Sequence, residues 1–184
     1  MKILKVIKIG GNIIDDAELL ENFLVDFSKI EGPKVLVHGG GKLATKLAQK
    51  MNMKIDMVDG RRKTNAETLD LITMVYAGKI NKNIVASLQK KSCNSIGFTG
   101  ADGNTILSVK RPVREIDYGF VGDIVKVDTS TLETLMHENI TPVFCAISHD
   151  NNGQLLNTNA DTIASEFAIG FAKKYQTELY YCFE

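Results

Sequence analysis

The apolar positions of the chain change period several times. Residues 2–9 are a β-branched run that stops at Gly10-Gly11, which predicts a strand ending in a turn. Leu19, Leu20, Phe23, Leu24, Phe27 and Ile30 then recur at helical spacing. Residues 35–37 predict a short buried strand, followed by a helix that turns Leu43, Leu47 and Met51 inward. Thr64 and Glu67 are spaced as a capping box before a long helical region carrying Leu69, Ile72, Val75 and Tyr76. Gly78 is expected to break or bend it before Ile80, Ile84 and Leu88 continue. SIGFTGADG, TILSVKR and DIVKVD predict short strands with turns, including a hairpin that departs from strict alternation. Ser130 and Glu133 predict a further helix cap, TPVFCAI a strand and NNGQ a turn. Residues 160–174 predict a helix burying Ile163, Phe167 and Phe171, and ELYYCF a last strand. Strands alternating with helices imply an α/β protein: an open, largely parallel sheet, helices on both faces, and a β-hairpin insertion.

Composition narrows the functions available. The 184 residues suffice for one sizeable core, and neither an internal repeat nor a low-complexity linker divides them. Lysines and arginines balance the acids to a formal net charge of +0, with no basic stripe interleaved with aromatics, so nucleic-acid binding has no electrostatic support. No apolar run approaches membrane-spanning length, and Met1 leads into a strand-like segment instead of a signal peptide, so a cytoplasmic location is expected. Cys93, Cys145 and Cys182 lack C-x-x-C spacing and are expected to be reduced core thiols, and His38, His137 and His149 suggest no zinc site.

The chemistry gathers at glycines. VLVHGGGK ends an apolar run in three glycines just where a helix should begin, and VIKIGGN does the same after the first strand. Glycine is costly to order, so such turns need positive φ or a close approach to the backbone. Two neighbouring strand ends could present two sets of N–H groups to one polyanion. Lys8 would add a cation beside them. A Walker loop is excluded, because Leu36 and Leu43 stand where its first glycine and its hydroxyl belong. Gly39, Gly41 and Ala44 do satisfy the dinucleotide pattern G-x-G-x-x-A, with Asp59 placed to bind a ribose, which keeps an NAD-dependent oxidoreductase open. DGRRKT sets Arg61 and Arg62 before a capped helix, where a guanidinium fork can grip a carboxylate. LLNTNADT alternates Asn157, Asn159 and Asp161, so Asn157 can face a pocket, Asn159 or Asp161 can cap the helix, and Asp161 can orient lysines.

KIGG, VLVHGGGK, DGRRKT, TGADG, GFVGDI and LLNTNAD follow one another along nearly the whole chain. Together they resemble the acetylglutamate kinases of the amino-acid kinase family. The resemblance implies an αβα sandwich that moves the γ-phosphoryl group of ATP, carried with Mg2+, onto the side-chain carboxylate of an N-acyl-L-glutamate in arginine biosynthesis. It implies that Lys8 stabilises the transferring group, that Asp161 organises the lysines, and that Gly10 and Gly11 contact phosphate. Gly40 and Gly41 would hold the substrate, Arg62 its α-carboxylate and Asn157 its acylamino group. Residues 1–184 would then be the acylglutamate-binding part, with the adenine-binding part and a further catalytic lysine outside it; YCFE departs from the family's nucleotide-contacting element. A homodimer without arginine feedback is expected. A non-catalytic amino-acid-binding regulatory domain is the remaining alternative.

Overall fold

The computed structural model describes residues 2–58 and 61–183. Its first half runs β1 (Ile3–Ile9), α1 (Gly11–Asp15), α2 (Ala17–Lys29), β2 (Lys34–His38), α3 (Gly41–Lys50), β3 (Met57–Val58), β4 (Arg61–Arg62) and α4 (Ala66–Thr73). A π-helical turn (Met74–Ile80) joins α4 to α5 (Asn81–Lys90), followed by β5 (Ser95–Phe98), β6 (Ile106–Lys110) and β7 (Gly122–Val127). The remainder is α6 (Ser130–His137), β8 (Thr141–Cys145), β9 (Ile147–His149), β10 (Leu155–Asn157), α7 (Ala160–Phe171) and β11 (Gln176–Cys182).

Five strands form one wholly parallel sheet in the order β11-β1-β2-β8-β5. β2 and β8 are buried at every position, so both faces of the sheet centre are covered. A ring stack ties α7 to that centre: Phe144 meets Phe98 at 5.2 Å and Phe167 edge-on at 4.6 Å, and Phe167 meets Phe171 at 6.1 Å. The second sheet, β10-β9-β6-β7, contains the expected hairpin, and the departure from alternation is a register shift between Leu107 and Ser108. TPVFCAI serves both sheets, because the chain leaves the first at Cys145 and enters the second at Ile147.

Several expectations are corrected in detail. The chain does not merely turn at Gly10-Gly11 but winds α1 from Gly11. α3 buries Ala44 and Ala48, while Leu43 and Leu47 are half-buried and Met51, beyond the last turn, is 56% exposed. Asn65, not Thr64, caps α4 by accepting from the Thr68 N–H. Thr64 is held extended, its N–H donated to Tyr118 and its carbonyl accepting from Phe120. Gly78 breaks nothing, since the helix passes through it as a π turn. Ser130 is already the first residue of α6; it donates to Asp128, and Thr129 donates to Glu133 at 2.7 Å. α7 stops at Phe171 instead of residue 174.

Candidate active site

The carboxyl ends of β1 and β2 lie side by side, with Ile9 opposite His38. Gly10 caps α1, and its N–H donates to the Cys182 carbonyl at 2.8 Å, so that amide is committed within the protein. Gly11 is roomier: the nearest neighbour of a Cβ built there is Lys42 Cγ at 3.9 Å. Lys42, in the first turn of α3, donates to Asn12 Oδ1 and ties the starts of α3 and α1 together.

The turn after β2 is crowded. Gly40 caps α3 at φ +156°, ψ 19°, and a Cβ there would stand 2.2 Å from Ile80 Cδ1 and 3.0 Å from the Tyr76 ring. Both walls belong to the π turn and are buried. Only glycine fits.

Lys8, 7% exposed, reaches Asp161 Oδ1 at 2.6 Å and lies 4.7 Å from the centroid of the Phe183 ring. Asp161 is spared from capping, because the Asn159 side chain accepts from the N–H groups of Asp161 and Thr162. Thus α7 supplies the carboxylate and β1 the ammonium.

Arg62 is buried on β4, whereas Arg61 beside it is exposed. Arg62 Nη2 donates to Gly41 O at 2.9 Å and to Thr45 Oγ1 at 2.8 Å, but Nη1 is buried without a hydrogen-bond partner. An unpaired buried guanidinium nitrogen is expensive, and a carboxylate would satisfy it. Asn157 Nδ2 donates to Thr64 Oγ1 at 3.0 Å. The GFVG stretch joins these two regions through its backbone: Phe120 donates to Thr64 O, and Asn157 donates to Phe120 O.

Gly40, Gly41, Arg62, Asn157 and Asp161 line one cleft of about 730 Å³. Lys8 joins it through Asp161, while Gly10 and Gly11 lie on the neighbouring strand end. Tyr76 and Thr45 were not recognisable as site residues. Tyr76 sat in an apolar helical pattern, and the signal it offered was its hydroxyl. Burial pushes the Tyr76 phenol up, and the nearby Arg62 charge opposes that. Gly39, Gly41 and Ala44 occupy a strand–turn–helix unit, but Asp59, the acid needed for dinucleotide binding, lies outside the described residues. The cysteines are free, and burial pushes the Cys145 thiol up to about 12, which makes it inert. Among the described residues no three His, Cys, Asp or Glu side chains gather to hold a metal ion.

The sequence pattern of the amino acid kinase family matches residues 4–175. The chain belongs to the amino acid kinase family. This amino acid kinase is similar to proteins named acetylglutamate kinase. That of Cytophaga hutchinsonii is 55% identical over 100% of this chain and 70% of its own length. That of Bacteroides thetaiotaomicron is 54% identical over 98% of this chain and 70% of its own length. The Methanopyrus kandleri protein is 34% identical over 90% and 66%. Among solved structures, N-acetylglutamate synthase from Neisseria gonorrhoeae, complexed with coenzyme A and N-acetyl-glutamate, has a TM-score of 0.79 at 20% identity, covering 97% of this chain and 41% of that one. At that identity the likeness concerns the fold alone. Nothing among these relatives favours an oxidoreductase or a non-catalytic regulatory domain.

Proposed function

We propose that this amino acid kinase serves the ATP-dependent phosphorylation of the side-chain carboxylate of an N-acyl-L-glutamate, N-acetylglutamate or N-succinylglutamate, to its acyl phosphate in arginine biosynthesis. The observation that carries the substrate side is the unpartnered, buried Arg62 Nη1 in the same cleft as Gly40, Gly41 and Asn157. The substrate α-carboxylate pairs with that nitrogen, Asn157 takes the acylamino group, and the N–H groups of turn 39–41 face the reacting carboxylate. Residues 1–184 act as the acylglutamate-binding part, and the adenine-binding part lies beyond them.

The chemistry requires charge and placement more than proton transfer. A glutamate side chain has a pKa of about 4.3 and is already ionised at neutral pH. No general base is needed. The obstacle is bringing one anion against another, which phosphoryl transfer overcomes with cations and fixed N–H donors. Lys8 faces the transferring group, and Asp161, 2.6 Å from its ammonium, keeps it aimed. Because the Gly10 N–H is already bonded to Cys182, the N–H groups at the start of α1, from Gly11 onward, receive phosphate oxygens, and Gly10 contributes close approach. Mg2+ carried on the ATP phosphates would neutralise part of their charge.

The test is a coupled ATP-turnover assay on the complete protein, offering N-acetylglutamate, N-succinylglutamate, free glutamate and aspartate. Turnover of an N-acylglutamate with little on the free amino acids is expected. Absence of turnover with both acyl substrates overturns the reading. The same reading makes the protein a cytoplasmic homodimer, which light scattering measures as twice the protomer mass. Among the described residues no helix is long and apolar enough to cross a membrane.

A further inference from the structure

The polar core behind the second glycine turn has a defined arrangement that the reaction itself does not use. His38, the last residue of β2, is fully buried. Its Nδ1 lies 2.8 Å from the Gly39 carbonyl, and its Nε2 lies 3.0 Å from Asn81 Nδ2. Asn81 Nδ2 also donates to the Val143 carbonyl at 2.9 Å. A carbonyl only accepts, so the amide nitrogen of Asn81 must face Val143 and its second hydrogen points at the imidazole. Nε2 is therefore the acceptor and Nδ1 carries the proton, which it gives to Gly39. The ring is neutral, both nitrogens are occupied, and neither is available as a base.

Asn81 is the first residue after the π turn, and the same turn presses Ile80 and Tyr76 against Gly40. One element thus grips the glycine turn twice, sterically at Gly40 and through His38 at Gly39. π turns inside α-helices are frequent at functional sites. We propose that His38 and Asn81 are a positioning pair that fixes the peptide planes of turn 39–41, and with them the N–H groups offered to the substrate. This rests on the acylglutamate reading for the identity of the ligand.

Two replacements of His38 separate the contacts. His38→Asn places an amide N–H near the position of Nδ1 and can keep the Gly39 bond. His38→Gln reaches towards Asn81 and loses it. Calorimetry with N-acetylglutamate on the full chain should show binding about tenfold weaker in His38→Gln, the scale of one buried hydrogen bond, and within about threefold of the parent in His38→Asn. Nitrogen-15 spectra should show His38 protonated on Nδ1 alone at pH 7, and the Gly40 and Gly41 amide peaks should move in His38→Gln but stay in His38→Asn. A ring protonated on Nε2, or amide peaks that respond equally to both variants, overturns the proposal. Asn81→Ala removes the bond that sets the ring's tautomer and orientation, so it should move the same amide peaks, and it serves where His38→Gln does not fold; unmoved peaks there overturn the proposal too. If the parent fails to bind N-acetylglutamate, the substrate reading falls, and the amide peaks still decide the positioning role.

Discussion

The two glycine turns look alike in sequence and differ in what surrounds them. After β1, Gly11 has room for a methyl group and opens a short helix whose own Asn12 accepts from Lys42. After β2, Gly40 is walled by the π turn, and the turn is bonded to Arg62 and His38. An open turn can accept ligand oxygens of varied position, whereas a walled one admits a single backbone geometry. Under the proposed function that division would place a mobile polyphosphate on one side and a small, oriented amino acid on the other.

The comparison breaks most directly at the glycines. Gly40→Ala should cost about 4 kcal/mol in urea unfolding, from overpacking against Ile80 and Tyr76 plus an unfavourable backbone conformation. Gly11→Ala should stay within about 1 kcal/mol of the parent. Equal costs would erase the distinction.

Acid should find the second turn first. Burial pushes the His38 pKa from its ordinary 6.5 to about 4. Between those values the unfolded chain binds the proton and the folded one does not, so stability declines as pH falls from 6.5 towards 4. The loss is about 3 kcal/mol if this group acts alone. His38→Asn should flatten that part of the profile; unfolding curves at pH 7 and pH 4.5 for both proteins decide it.

Activity should separate the turns by kinetic constant. Lys8→Ala in the complete enzyme should lower kcat by ~10²-fold while changing acylglutamate binding little, as expected where charge develops in the transition state. Unchanged kcat would remove Lys8 from the chemistry. Arg62→Lys should instead raise the KM for acylglutamate by roughly tenfold, because lysine keeps the charge but not the fork. Arg61→Lys, at the exposed neighbour, should be silent.

The smallest effect sharpens the account of the wall. Nothing lies within 4 Å of a Cβ built at Gly78 in the middle of the π turn. Gly78→Ala should therefore raise stability by up to ~1 kcal/mol through backbone entropy. A thermal-unfolding midpoint that falls instead would mean the π turn depends on glycine.

Local pattern determined a good deal of this protein. Alternating strands and helices, the parallel sheet, the hairpin and both glycine turns follow from period and turn chemistry, which act over a few residues. The pattern also marked Lys8, Arg62, Asn157 and Asp161, because each stands beside a turn or a helix start. What it could not rank was Arg62 against Arg61. Adjacent residues of a strand face opposite sides, and only the packing of β4 against Gly41 and Thr45 buries one and exposes the other. Likewise Thr64 has the right spacing for a cap, yet pairing with Tyr118 and Phe120, more than fifty residues away, holds it extended and passes the cap to Asn65. His38 and Asn81 are 43 positions apart and meet only because β2 and the helix after the π turn share one core. Contacts of that range are made by the tertiary fold, whose burial decides which polar atoms are paired and which, like Arg62 Nη1, are left without a partner inside the protein.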